Sequence, residues 1–312
     1  MGTRNRNALV TGATGFIGSR VVGRLIAEGW TVHVLARSGS SLDLLHSDRR
    51  CLAAHVHRIS QREMASRIRQ IGPRVVFHLA ARTQSRHEPE DVDPLIEANV
   101  AFPAELVEAM IRAGSRLFVG AETFWQSDGS GAYSPVCLYA ATKQAFRDIL
   151  KYYVEAEGLS ALSLVLYDVY GPADPRDKLL NALAKAALTG QVLSVSPGDQ
   201  MIELVHVDDV ARAFAIAGDW LDSGKGSGMQ TYGVFGGKAR TLKEIVGIFA
   251  EVAQAPVPVH WGGRPHRPRE VMQPYVGHPV LPGWHAEVDL RDGLREVLDW
   301  FKKDGSFDAR PS

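Results

Sequence analysis

Three observations predict a doubly wound α/β fold, in which helices cover both faces of a parallel sheet. Gly12, Gly15 and Gly18 fall directly after an apolar strand. Continuous apolar strands alternate with helix-like segments through the first half of the chain. At 312 residues the chain can hold one large unit, or a cofactor domain with a smaller companion.

The first strand, Ala8 to Thr11, runs into Gly12-Ala13-Thr14-Gly15-Phe16-Ile17-Gly18 and then a helix from Phe16 to Glu28. Glycines three apart let the backbone bend sharply and come close to a pyrophosphate. The helix N-terminus adds free N–H groups and a partial positive charge. A glycine-rich turn without a ligand is the alternative, but strand, turn and helix occur in the order that dinucleotide binding requires. The second strand, Thr31 to Ala36, ends in Arg37-Ser38, with Ser40 and Ser41 beyond. A carboxylate at this place would suit the ribose hydroxyls of NAD; a guanidinium and hydroxyls suit a 2′-phosphate. NADP (as NADPH) is therefore the expected cofactor, with a solvated loop cation as the other reading of Arg37.

A strand is expected at Leu52 to Val56, a helix at Gln61 to Ile71 and a strand at Arg74 to Ala80. One long helix is expected over Asp91 to Ala113, then a strand at Arg116 to Gly120, a helix at Val136 to Ala156 and a strand at Ala161 to Tyr167. Composition changes at Tyr170-Gly171-Pro172. A helix at Arg176 to Thr189, a short β segment, a second at Met201 to Val207 and a helix at Val210 to Leu221 follow. A Pro-, Gly- and Arg-rich stretch from Pro256 to Gly283 precedes a last helix at Leu290 to Lys302. The pattern divides into a Rossmann-type domain over 1–167, completed by about 206–234, and a smaller, discontinuous substrate-binding domain over 168–205 and 235–312.

Lys plus Arg (35) balances Asp plus Glu (35), so no global field favours nucleic acid or a membrane surface. Cys51 and Cys137 lie far apart without metal-ligand spacing and read as reduced thiols, and no metal is expected. No signal peptide or apolar run of membrane-spanning length is evident. A cytoplasmic protein acting on a small molecule is the expectation.

Tyr139-Ala140-Ala141-Thr142-Lys143 lies near a helix start, and a spacing of four puts Tyr139 and Lys143 on one face. A nearby ammonium favours a phenolate, so such a pair can pass a proton to or from a substrate oxygen. Together with the glycine turn, His78-Leu79-Ala80-Ala81, Asn99-Val100, Tyr170-Gly171-Pro172 and His206-Val207-Asp208-Asp209-Val210, this motif resembles the extended short-chain dehydrogenase/reductase family in its nucleotide-sugar branch. Within the branch the likeness is to CDP-abequose and CDP-paratose synthases. It includes Glu122-Thr123-Phe124-Trp125, Tyr133-Ser134-Pro135, Asp174-Pro175-Arg176, Pro197-Gly198-Asp199-Gln200, Arg267 to Met272 and Leu281-Pro282-Gly283-Trp284.

The resemblance implies NADPH-dependent reduction of a nucleotide-linked 4-keto sugar, a small-molecule ketone. Tyr139 would then be the proton donor, and Lys143 would lower its pKa and hold the nicotinamide ribose. Asn99 would anchor a proton relay or the adjoining helix, unless it is simply satisfied by backbone. Leu79, Ala80 and Ala81 would line the cofactor, with His78 either beside them or packed in its strand. A homodimer through the 91–113 and 136–156 helices is a family habit, though such packing also suits a lone sheet.

Three departures bear on the substrate. Ala121 stands where the family offers a Ser or Thr hydroxyl, leaving Thr123 as the nearest hydroxyl and Glu122 as the nearest carboxylate. A missing hydrogen bond to a developing oxyanion can cost about 2–4 kcal/mol of barrier. Arg58 replaces an adenine-contacting Asp. Ile202 replaces an Arg that grips the diphosphate, a task open to Arg264, Arg267 and Arg269 if these are not merely solvated. Trp125, Trp261 and Trp284 could form an aromatic surface, or pack in the core. A reductase of a secondary-metabolite ketone, such as a polyketide or glycosylated natural product, is the competing reading. A sugar epimerase and a non-catalytic NADP-binding sensor rank below it.

Overall fold

The computed structural model describes residues 6–37, 39–42, 44–45, 52–56 and 61–304; Ser38, Cys51 and Arg58 lie outside them. In chain order the first elements are β1 (Asn7–Thr11), α1 (Phe16–Ala27), β2 (Thr31–Arg37), β3 (Leu52–Val56), α2 (Gln61–Ile71) and β4 (Val75–His78). Then come α3 (Val92–Ile96), α4 (Phe102–Ala113), β5 (Leu117–Thr123), α5 (Leu138–Glu157) and β6 (Ser160–Leu166). The remainder comprises β7 (Asp168–Tyr170), α6 (Leu179–Thr189), β8 (Leu193–Ser194), β9 (Met201–Ile202), β10 (Leu204–His206), α7 (Val207–Asp222), β11 (Met229–Val234), β12 (Arg240–Thr241), α8 (Leu242–Ala253), β13 (Val259–His260) and α9 (Leu290–Asp304).

The main sheet runs β11-β6-β5-β4-β1-β2-β3, and every neighbouring pair is parallel. Its order reverses beside β1, so a crevice opens between the C-terminal ends of β1 and β4, where sheets of this kind bind ligands. Alternate strand residues feed opposite cores. Ala8, Val10, Val75 and Phe77 pack with Val21 and Leu25 of α1 and Val210 and Phe214 of α7. Leu9, Val76 and Phe118 pack with Met64 of α2, Leu106 and Met110 of α4 and Phe146 of α5. A third core joins α6, α8 and α9 through Leu183, Phe249, Leu298 and their neighbours. Short ribbons β9–β12 and β8–β13 edge this smaller unit.

Several expectations change. The long helix over Asp91 to Ala113 is interrupted by a π turn at Glu97–Ala101, where the Phe102 N–H reaches back to the Glu97 carbonyl. Pro103 supplies no N–H to the Asn99 carbonyl, which favours the wider turn. β5 runs on to Thr123, pairing Ala121, Glu122 and Thr123 with Leu164, Val165 and Leu166. β4 stops at His78. The helix expected from Arg176 begins only at Leu179, because Asp174 bonds the Arg176 backbone N–H (3.0 Å) and guanidinium. The expected segment Met201 to Val207 divides into β9 and β10, which pair with different strands. Strand β11 and helix α8 were not foreseen, although Thr241 and Glu244 form a capping box, a signal readable in sequence.

Phe77 is fully buried beneath α7, with Gly218 of that helix against its ring and Trp30 edge-on at 6.0 Å. Phe77→Ala should lower the unfolding free energy by about 3–5 kcal/mol, read from the shift of the denaturant midpoint.

Candidate active site

Gly12 turns the chain at the end of β1 with φ 70°. A Cβ there would lie 2.4 Å from the Ala80 nitrogen, so only glycine permits this crossing of the end of β4. A Cβ on Gly18 would meet the Gly12 carbonyl oxygen at 2.1 Å, which fixes α1 against the turn. Gly15, exposed, is the N-cap of α1; no side chain caps it and the first turn carries no acid. Thr14 is half-buried beside it and Phe16 is buried behind. This outward-facing, uncapped helix end has the free N–H groups that a pyrophosphate needs. The residues fit a dinucleotide. Arg37 stands exposed at the end of β2, a strand without acidic residues.

A cavity of about 710 Å³ extends from Ile17, Leu79 and Ala81 at the crevice to α6 and the 264–271 segment. Tyr139 and Lys143, one turn apart on α5, share its wall with Ala121, Glu122, Thr123 and Trp125. Burial pushes the Tyr139 phenol up to about 12; hydrogen bonding to Thr83 and Thr123 works against that rise. Burial lowers Lys143 to about 8, opposed by the Glu122 charge. The groups that ease Tyr139 ionisation are thus the two threonines and Arg176, whereas the Lys143 charge acts on His78. Lys143 was expected to lower the phenol's pKa; the structure puts the two one turn apart on the same cavity wall.

Thr123 caps the short turn after β5: its Oγ1 accepts from the Trp125 N–H (3.3 Å), leaving its own proton for a neighbour. Glu122 lines the cavity, but Arg147 holds its two oxygens at 2.6 and 2.7 Å and also reaches Thr231. Trp125 meets Tyr139 edge-on at 6.2 Å, with Arg267 5.3 Å and Lys178 5.7 Å from its ring centre. Arg264, Arg267 and Ile202 all line the cavity, and Arg267 pairs with Glu270.

Among the expected catalytic and substrate-binding residues, Asn99 and Arg269 stand off the wall. Asn99, 1% exposed, spends its amide elsewhere: Oδ1 accepts from the Arg82 N–H (2.8 Å), and Nδ2 donates to the Arg82 carbonyl (2.9 Å) and Thr142 Oγ1 (3.0 Å). It ties the loop after β4 to α5. Arg269 points to the 134–135 loop, donating to the Pro135 carbonyl (3.1 Å) and Ser134 Oγ (2.8 Å). Trp284 is a core residue whose indole donates to the Asp209 carbonyl, and Trp261 lies over Gly198 outside the cavity. Thr83, Lys178 and Arg147 were not foreseen. Thr83 could have been found by its place two residues after His78-Leu79-Ala80-Ala81.

His78 is packed in its strand. Its ring lies among Phe102, Phe118 and Phe146, with Nδ1 2.8 Å from Thr11 Oγ1. Burial, reinforced by Lys143, holds its pKa down to about 3.

Residues 8–231 match the NAD dependent epimerase/dehydratase family, and the chain belongs to that family. It is an enzyme of the extended short-chain dehydrogenase/reductase type and works with a nicotinamide cofactor. It is 24% identical to a CDP-abequose synthase of Salmonella muenchen, over 94% of this chain and 97% of that protein. To a UDP-glucose 4-epimerase of Mycolicibacterium smegmatis it is 28% identical, over 94% and 98%. A UDP-glucose 4-epimerase of Thermus thermophilus, solved in complex with NAD, superimposes with a TM-score of 0.79 at 27% identity, covering 95% of this chain and 99% of that one. No helix among the described residues is long and apolar enough to cross a membrane.

The lowered pKa of His78 makes stability depend on pH. Between about 6.5 and 3 the unfolded chain binds a proton that the folded chain refuses, so stability falls as pH falls through that window. Wild type should lose up to about 1.4 kcal/mol per pH unit more than His78→Gln there. Denaturant titrations at pH 6.5, 5.5 and 4.5 check this; parallel slopes would assign the loss to other groups.

Proposed function

We propose that this chain is an NADPH-dependent ketoreductase acting on the 4-keto group of a nucleotide-linked deoxysugar. The observation that carries the reading is the cavity wall itself, where Tyr139, Lys143 and Thr123 meet at the C-terminal edge of the sheet. When bound, the reduced nicotinamide supplies hydride to a carbonyl carbon. Tyr139 gives its proton to the carbonyl oxygen, and Thr123 is placed to hydrogen-bond the same region. Lys143 holds the nicotinamide ribose beside them. Arg37, at the end of an acid-free β2, receives the 2′-phosphate.

The C-terminal part of the cavity supports a charged sugar carrier. Ile202 cannot neutralise a diphosphate, but Lys178, Arg264 and Arg267 all line the same cavity, two of them close to the Trp125 ring centre (5.7 Å for Lys178 and 5.3 Å for Arg267). The likeness to CDP-abequose synthases over nearly the full chain agrees with that class. The likeness to UDP-glucose 4-epimerases favours a second reading, epimerisation, in which the cofactor is returned unchanged. Ile202 on the wall favours a third, an uncharged secondary-metabolite ketone.

NADPH consumption with CDP- and dTDP-linked 4-keto-6-deoxyhexoses decides among them. Reduction of either supports the proposal. Interconversion of UDP-glucose and UDP-galactose without net NADPH loss would establish the epimerase, and absence of binding to CDP, UDP and dTDP would favour the third reading. Tyr139→Phe should lower kcat by about 10²-fold or more. Arg37→Asp should move the NADP/NAD ratio of kcat/KM toward NAD by roughly tenfold or more, since it replaces a phosphate partner with a like charge. An unchanged ratio would remove Arg37 from cofactor selection.

A further inference from the structure

The Tyr139 phenol shares its cavity with hydroxyls from two different strand ends. Thr123 closes β5, Thr83 lies on the loop after β4, and all three line the cavity. Ala121, on the same wall, offers only a methyl group. The loop that carries Thr83 is tightly held. Asn99 grips both the N–H and the carbonyl of Arg82, the residue next to Thr83. The same Asn99 donates to Thr142 Oγ1, and the Thr142 hydroxyl donates to the carbonyl of Tyr139 itself at 2.7 Å. The Arg82 guanidinium is tied down as well, to Asp91 (2.7 Å) and Gln84 (3.1 Å). Two buried side chains therefore connect the backbone beside Thr83 to the backbone of Tyr139. That linkage holds the loop carrying Thr83 against the start of the helix carrying Tyr139.

We propose that Thr83 is a positioning residue for proton transfer, forming with Thr123 a two-hydroxyl clamp on the Tyr139 phenol. The proposal rests on the ketoreductase reading. As the substrate carbonyl is reduced by NADPH, its carbon gains hydrogen with both bonding electrons and its π bond opens onto oxygen. That oxygen takes the Tyr139 proton; the phenol O–H breaks and the phenolate keeps the electron pair. Thr83 and Thr123 then donate hydrogen bonds to the phenolate, which solvent later reprotonates. Such bonds are strongest to the charged form, so the clamp makes Tyr139 a better acid without adding a charge to the cavity. Asn99 serves the same end at one remove, by holding the loop.

The test compares Thr83→Val and Thr83→Ser with wild type in the full chain, labelled with ¹³Cζ-tyrosine and assigned through Tyr139→Phe. With a CDP-linked 4-keto-6-deoxyhexose and NADPH, Thr83→Val should lower kcat about ten- to hundredfold with KM little changed. The high-pH fall of kcat should move up by about one pH unit, because the phenol gives up its proton less readily. The Tyr139 resonance should shift in Thr83→Val and return in Thr83→Ser. General damage to the site would lower kcat in both variants without moving the pH limb. A resonance and a pH limb unmoved by Thr83→Val would overturn the clamp. Should no probe be reduced at all, the reductase reading fails separately, and the resonance alone decides whether Thr83 holds the phenol.

Discussion

Gly12 lies so close to the backbone of Leu79 and Ala80 that a single methyl group would overlap them, and this contact fixes the rest of the site. It presses together the ends of β1 and β4, the two strands beside which the sheet order reverses. From that contact α1 departs with its uncapped N-terminus facing the crevice. The loop that leaves β4 carries Thr83 toward α5 from the same point. Thr11 joins the two sides once more: its hydroxyl receives the Ala80 N–H (3.4 Å) and meets His78 Nδ1. The crevice beside α1 and the wall that carries Tyr139 are thus referred to one pair of strand ends.

Burial governs the chemistry around that contact. Tyr139, Lys143 and His78 are all shifted toward their neutral forms, and in each case desolvation is the largest cause. The Glu122 carboxylate is matched in this setting by Arg147, which is bound directly to it. Toward α6 and the 264–271 segment the same cavity is instead lined by charged side chains, among them Lys178, Arg264 and Arg267. Hydrogen bonds from fixed hydroxyls act more strongly where burial lowers the local dielectric.

The legible parts of the sequence were those with local causes. Gly12 and Gly18 announce the turn because a Cβ at either would overlap backbone atoms, and the apolar runs of β1, β2 and β4 announce a sheet buried on both faces. Tyr139 and Lys143 were readable from helical spacing. The π turn at Asn99 was not, because it combines a missing N–H at Pro103 with a tie to Arg82, seventeen residues earlier. Thr83 has no local pattern; its place follows from which strands are neighbours. Arg269 shows the opposite failure. Its motif was readable, but loop packing against Ser134 and Pro135 took the side chain away from the cavity. Helix α8 was missed although its capping box at Thr241 and Glu244 stood in plain view.

The return of α7 and β11 to the main sheet has a consequence for how such a chain can change over time. After β6 the backbone leaves for β7 and α6, comes back through α7 to β11, and leaves again for α8 and α9. The smaller unit is therefore encoded in two separate stretches of gene with part of the larger unit between them. A single recombination event cannot exchange it whole. Transplanting that unit between chains takes paired exchanges that spare the strand joining the two stretches.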